Sequence, residues 1–128
     1  MPKHIFIVDD SQLVRRLVRS CLEDRLEYID CAEAVNGLDA VQRATEVKPD
    51  VIVLDLCMPV MNGMEAAASL HRMLPKVPII LYTLHKDVVS ERHIQNLGIR
   101  AVISKLDQIE VLLEQILRYV GVAKIAAA

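Results

Sequence analysis

The residues with the most chemistry in this chain stand directly after short apolar runs. Asp9 and Asp10 follow Ile5-Phe6-Ile7-Val8, and Asp55 follows Val51-Ile52-Val53-Leu54. Thr83, Leu84 and His85 follow the run from Val77 to Tyr82, and Ser104 and Lys105 follow Ala101-Val102-Ile103. Singly, each has an ordinary explanation. Asp9-Asp10 reads as an acidic turn in which Asp10 or Ser11 caps a helix. Asp55 reads as a loop residue, Thr83 as a strand former and Lys105 as a solvated surface lysine. If the apolar runs end on one edge, however, three carboxylates, a hydroxyl and an ammonium converge. Carboxylates packed together repel by about 4 kcal/mol per pair at ~4 Å and an effective dielectric near ~20. Such a cluster implies a compensating cation, and all-oxygen ligands with room for water suit Mg²⁺.

The elements that must position these groups are legible as two alternating textures. The four apolar runs, with a weaker one from Ile29 to Ala34, are continuous rather than alternating, which suits strands buried on both faces of a parallel sheet. Between them lie stretches of helical period. Leu13, Val14, Leu17, Val18, Cys21 and Leu22 form the first apolar stripe, with Arg15, Arg16 and Arg19 assigned to the exposed side. Leu38, Val41 and Ala44 form the second, ended by Lys48-Pro49; Met64, Ala67, Ala68 and Leu70 form the third, closed near Pro75. Val89, Ile94 and Leu97 give the fourth, stopped by Gly98. Ile109, Leu112, Leu113, Ile116, Leu117 and Val120 give the fifth, with Gly121 at its end. Five βα units in series predict an α/β fold: a doubly wound, five-stranded parallel sheet with helices on both faces. Ligands of such sheets bind at the carboxyl edge of the strands, where these polar residues stand.

Length and composition exclude several function classes. A chain of 128 residues, 53% hydrophobic, suits one domain at roughly 100–200 residues each and can bury a core without disulfides. With 15 basic against 17 acidic residues the formal charge is −2, so no global field draws the protein to nucleic acid or anionic membrane. Phe6, Tyr28, Tyr82 and Tyr119 are the only aromatics, too few for a base-stacking surface. Cys21, Cys31 and Cys57 make no C-x-x-C pair, which argues against a disulfide framework or a zinc site and for reduced thiols in the cytoplasm. The N-terminal apolar run is too short for a signal peptide, and no run approaches the ~18 residues of a membrane span. Residues 1–120 are expected to be the domain, and 121–128 a C-terminal tail or truncated linker.

The third strand carries a specific likeness. Asp55-Leu56-Cys57-Met58-Pro59-Val60-Met61-Asn62-Gly63 resembles the D-x-x-M-P-x-M-x-G signature of response-regulator receiver domains of two-component signalling. Val8-Asp9-Asp10, Ala34 to Ala40, Lys48-Pro49-Asp50, Pro78 to Thr83 and Gly98 to Ala101 before Lys105 fall in the same order and spacing, so the likeness covers residues 3 to 120. The resemblance implies a flavodoxin-like sheet of order 2-1-3-4-5, which is also the order given generally for this fold type. It implies that Asp55 accepts a phosphoryl group from a histidine kinase or histidine phosphotransfer protein. Mg²⁺ would be held by Asp10, Asp9 (largely through water), Asp55 and the backbone carbonyl of Cys57, while Thr83 and Lys105 would contact the phosphoryl oxygens. The output surface would comprise the fourth helix, fifth strand and fifth helix, with Val88, Ile109 and Tyr119 as candidates and homodimerisation as one use. Such a domain is a switch, not an enzyme turning over an external substrate.

Some positions depart from the family pattern. Val102 stands where an aromatic switch residue is usual, and Tyr82 nearby reads as core. Leu84 is bulky where a small residue usually follows the threonine, and Leu106 replaces the proline that usually follows the lysine. The last feature resembles receivers attached to helix-turn-helix transcription factors. Cys57, Leu84, His85 and Val102 are the candidates for tuning the switch. Arg15, Arg16 and Arg19 read either as a docking face for the kinase or phosphotransfer helix or as a solvated basic face. Two other functions compete: a receiver-fold interaction module not switched by phosphorylation, and the receiver half of a truncated transcription factor. A flavodoxin-like redox protein or small phosphatase fits less well, since no Gly-rich phosphate loop follows the first strand and no D-x-D-x-T/V pattern is present.

Overall fold

In a computed structural model, which describes residues 2–121, the chain alternates strand and helix from end to end. The order is β1 (Lys3–Val8), α1 (Gln12–Arg25), β2 (Ile29–Ala34), α2 (Gly37–Val47), β3 (Val51–Leu54) and α3 (Gly63–Met73). After these come β4 (Ile79–Thr83), a 3₁₀ turn at Lys86–Val88, α4 (Glu91–Asn96), β5 (Ile99–Ser104) and α5 (Ile109–Val120). The five strands form one parallel sheet in the order β2-β1-β3-β4-β5, as expected. Of the tail expected at 121–128, Gly121 forms the C-cap of α5 and residues 122–128 lie outside the described residues.

Capping explains where the helices start. Ser11, rather than Asp10, caps α1, its Oγ accepting the Val14 N–H at 3.2 Å. Asn36 and Asn62 cap α2 and α3 in the same way, and Asn62 also exchanges a side-chain bond with Glu65 three residues on. α5 closes on Gly121 at φ 65°, the left-handed conformation glycine adopts without strain. Two cores flank the sheet. One packs α1 and α5 through Val18, Leu22, Leu112, Leu113, Ile116 and Val120 on Ile5, Ile7, Val53 and Ile80. The other packs the small faces of α2 and α3 (Ala40, Ala44, Ala66, Ala67, Leu70) on Phe6, Val8, Ile52, Leu54 and Leu81. Gly63 is required there, because a Cβ on it would overlap the Asp55 carbonyl oxygen.

α1 departs from expectation. Its inward-facing residues are Arg15, Val18 and Leu22, while Leu13 is 79% and Leu17 50% exposed. The face turned to the sheet is therefore rotated by roughly a quarter turn from the centre of the apolar stripe, and only Arg16 of the three arginines is fully on the exposed side. Arg15 is not on a basic face; it is a buried cation paired with Glu33 of β2. Leu38 of the second stripe is likewise exposed, its place inward taken by Ala40. The fourth helix is shorter than its stripe suggests: Val89 precedes it, and α4 itself contains no buried residue.

Candidate functional site

Parallel pairing carries the polar residues to one edge. Val8 is level with Ala34 and Leu54, and Leu54 with Leu81. The ladder then runs one residue past the strand ends: the Asp9 N–H donates to the Ala34 carbonyl (3.1 Å), Asp55 to Val8 (2.9 Å) and Lys105 to Thr83 (2.8 Å). Strand register therefore sets Asp9 and Asp55 on neighbouring strand ends, and Lys105 on the same edge beyond Thr83, before any side-chain contact is made.

The carboxylates of Asp9, Asp10 and Asp55 each offer an oxygen within 4.8 Å of the others. Asp9 and Asp55 are buried and Asp10 is exposed. Lys105 Nζ lies 2.7 Å from Asp9 Oδ2 and 3.5 Å from Asp55 Oδ2, with its side chain largely covered. Burial, then the neighbouring Asp9 charge, raises the Asp55 carboxyl above its ordinary pKa, although Lys105 and the Leu56 N–H pull the other way. Burial disfavours the Lys105 ammonium, but its hydrogen bond and charge pairing with Asp9, then with Asp55, outweigh this and raise its pKa. Three carboxylates against one ammonium leave two negative charges at the edge. Asp10 has no hydrogen-bond or ion-pair partner among the described residues.

The other sequence candidates are distributed around this centre. Leu84, His85 and Cys57 line one cavity with Asp10, Ser11, Val14, Asp55 and Lys105. Leu84 is 57% exposed over that cavity and Cys57 is an exposed free thiol. Cys57 also borders a second cavity with Asp10, Met58, Pro59, Asn62 and Met64. Thr83 is fully buried at the strand end, its Oγ1 accepting the His85 N–H at 3.0 Å. Val102 is half-buried and packs, as Val89, Ile94 and Leu97 do, against the core that α2 and α3 make with the sheet. Tyr82 belongs to the opposite core, 5% exposed, and its ring centre lies 5.9 Å from Lys105 Nζ. The structure thus groups Asp10, Asp55, Lys105, Cys57, Leu84 and His85 around one cavity, joins Asp9 to them through Asp55 and Lys105, and does not place Val102 in its lining.

Sequence reasoning missed a layer beneath the acids. Arg15 Nη1 donates to the Asp9 carbonyl at 2.7 Å, and its Nε donates to Glu33 Oε1 at 3.0 Å. Arg19 Nη1 donates to the second Glu33 oxygen at 2.7 Å. The signal was present: Arg15 stands three and seven residues before Val18 and Leu22, on one helical face. Val60, between Asp55 and α3, was also missed. It has φ 70° and sits in a three-residue turn closed by the Met61 N–H on the Pro59 carbonyl (2.8 Å).

Comparison with known proteins gives the arrangement a family. The chain is 39% identical over 77 residues to the chemotaxis protein CheY of Listeria monocytogenes, covering 60% of this chain and 64% of that one. Over 83 residues it is 39% identical to the transcriptional regulatory protein LnrK of Bacillus subtilis, covering 65% of this chain and 38% of LnrK. The chain therefore matches less than two thirds of the length of each of these relatives. Among solved structures, the response regulator protein TrrA of Thermotoga maritima, in complex with Mg²⁺–BeF, superposes with a TM-score of 0.81 at 25% identity, covering 91% of this chain and 98% of that one. Vibrio cholerae chemotaxis protein CheY4 superposes with a TM-score of 0.79 at 26% identity, covering 93% and 99%. The family model of the response regulator receiver domain matches residues 5–117, and with the five-strand order and the acidic edge in place, the chain belongs to that family.

Proposed function

We propose that this protein is a phosphoryl-accepting switch that takes a phosphoryl group onto Asp55 with Mg²⁺ and relays the change to the α4-β5-α5 surface. The single observation that carries the reading is the buried Asp55 carboxylate held between two further carboxylates and the Lys105 ammonium. The donors fit the metal: they are all oxygen, one of them exposed and unpartnered, and the two negative charges left after Lys105 offsets one carboxylate match a divalent cation. Asp10, Asp9, Asp55 and the Cys57 carbonyl would hold it. When bound, Mg²⁺ neutralises charge on the phosphoryl oxygens.

The chain's own residues supply the rest. An Asp55 oxygen attacks phosphorus, the P–N bond of the donor phosphohistidine breaks, and its electron pair leaves with the imidazole nitrogen. Lys105, held at the site by Asp9, stabilises the developing negative charge. Thr83 keeps its hydroxyl hydrogen free to donate, since its Oγ1 already accepts from His85. Leu84, Cys57 and His85 line the cavity with Asp55, where the bulk of Leu84 slows attack by water. Once Asp55 carries about −1.5 to −2 rather than −1 charge, Thr83 and Lys105 are drawn to it. The loop after β4 then shifts against α4. Val102 offers no aromatic ring for the switch, so the signal passes through that loop. The donor is a histidine kinase or a histidine phosphotransfer protein, and a homodimer through α4-β5-α5 is one output, with Val88 exposed there and Ile109 and Tyr119 half-buried. The domain acts in the cytoplasm, with no membrane or nucleic-acid contact of its own and no external substrate to turn over. No helix among the described residues is long and apolar enough to cross a membrane.

The likeness to LnrK, of which the matched stretch is 38%, supports a second reading of context, namely a receiver serving a larger transcription regulator. Intact mass after incubation with Mg²⁺ and acetyl phosphate tests the main reading. One phosphoryl adduct is expected on the wild type and none on Asp55→Asn, with Leu84→Ala labelling faster than wild type. A stoichiometric adduct on Asp55→Asn would overturn the assignment. Wild type and Leu84→Ala both unlabelled, even with a phosphotransfer protein as donor, would leave the fold as an interaction module.

A further inference from the structure

We propose that Arg15 is a positioning residue for the cation site: it fixes the peptide plane between Asp9 and Asp10 and so sets where the Asp10 carboxylate stands. The inference rests on the reading that these acids bind Mg²⁺. Arg15 is only 9% exposed, and its guanidinium is used on two sides. Nη1 donates to the Asp9 carbonyl in a buried bond of 2.7 Å, while Nε donates to Glu33 at 3.0 Å. Glu33 is itself gripped, by Arg19 on its other carboxylate oxygen and by Arg43 on its backbone carbonyl. The fork of Arg15 therefore spans from β2 to the turn after β1 and is anchored at the β2 end.

The Asp9 carbonyl and the Asp10 N–H belong to one planar unit. A carbonyl held in place orients that plane and with it the Cα of Asp10. Asp9 has other supports: its Oδ1 accepts the Ser11 N–H at 2.9 Å and its Oδ2 pairs with Lys105. The Asp10 carboxylate has none among the described residues, so its position depends on the backbone that carries it. Groups that orient metal ligands from behind contribute strongly to affinity. Charge alone predicts the opposite sign, because a cation removed from beneath the site leaves Mg²⁺ less repelled.

That opposition makes the test decisive. Mg²⁺ binding to the full chain is measured by calorimetry for wild type, Arg15→Lys and Arg15→Met, with a thermal melt of each. Lysine keeps the charge but cannot donate to Asp9 and Glu33 at once in the geometry of a guanidinium fork. Both variants are expected to bind Mg²⁺ about tenfold more weakly while still melting cooperatively. Saturating Mg²⁺ is expected to restore their phosphorylation by acetyl phosphate. Unchanged affinity in Arg15→Lys overturns the proposal, as does tighter binding in Arg15→Met. If Arg15→Met does not fold, Arg15→Lys decides alone. A wild type that binds no Mg²⁺ overturns the metal reading and this inference with it, a result distinct from variants that merely match a binding wild type.

Discussion

Two loops meet at the acidic edge, and they are held in opposite ways. The turn from β1 to α1 is only Asp9 to Ser11, and its backbone is tied down on both sides of Asp10. The Asp9 N–H reaches β2, the Ser11 N–H closes on Asp9 Oδ1, Ser11 caps α1, and Arg15 holds the Asp9 carbonyl from below. The loop from β4 to α4 is exposed from Leu84 through Val88. Its internal bonds are local: His85 to Thr83, Val88 to His85 at 3.2 Å and Val89 to Lys86 at 3.3 Å. The helix it enters has six residues and buries none of them, whereas α1 buries Arg15, Val18 and Leu22. A site that converts a change of charge into a change of surface needs one wall that stays and one that yields. The lower local stability of exposed, thinly packed segments is what lets them move.

The largest effect that could break this contrast comes from truncating one apolar residue on each side. Leu22 of α1 is fully buried, and Leu22→Ala is expected to cost about 3 kcal/mol. Ile94 of α4 is half-buried, and Ile94→Ala is expected to cost about 1 kcal/mol. Urea melts of the two variants beside wild type check this. Equal losses would mean that α4 is as firmly seated as α1, and the yielding wall would have to be sought elsewhere.

The same contrast marks where the sequence could be read. The strands and the converging acids were legible because continuous apolar runs and strand-end positions are local signals and parallel register does the rest, while the strand order was legible only through the family resemblance. The facing of α1 was not. Six apolar positions spread over half the helix circumference, so the stripe alone leaves the phase loose. What settles it is Arg15, whose partner Glu33 lies 18 residues away on a strand that becomes a neighbour only once the sheet has formed. A residue sorted as exposed by its charge is inside because its ion pair is inside. Leu13 and Leu17 are outside as a consequence. Val60 escaped for a similar reason: its type suggests a strand or core, and only the turn geometry reveals its cost.

That cost gives a second, smaller prediction and adds a third loop to the comparison. A β-branched residue at φ 70° is disfavoured by about 1 kcal/mol or more. The Val60 side chain is 74% exposed and gains little from packing in return. Val60→Gly is therefore expected to stabilise the protein by about 1 kcal/mol, reduced somewhat by the greater freedom of glycine in the unfolded chain. A raised melting temperature with unchanged Mg²⁺ binding would place the β3–α3 turn outside the cation site's supports. A drop in both would tie its strained conformation to the placement of Asp55 and Cys57.

The smallest expected effect separates the supporting layer from the acids above it by the sign of a pH dependence. Burial works against the Glu33 carboxylate, but hydrogen bonds from Arg19 and Arg15 overcome this and lower its pKa from the ordinary 4.5. A carboxyl lowered in the folded state contributes stability that is complete above its unfolded value and is lost as pH falls through the folded one. Glu33 is partly solvated, so the contribution is under about 1 kcal/mol. Asp55 has the opposite sign. Burial and Asp9 raise it above 3.8, so between 3.8 and its folded value the folded state binds more protons, and stability falls as pH rises. Melts without Mg²⁺ from pH 7 toward pH 3 should therefore show the gap between wild type and Glu33→Gln closing below about pH 4.5. Asp55→Asn should be more stable than wild type at neutral pH, with that advantage shrinking in acid. A wild-type deficit against Asp55→Asn that did not shrink would mean that the deficit does not come from the charge of the buried carboxylate, and Asp55 would drop out of the pH dependence that Glu33 shows.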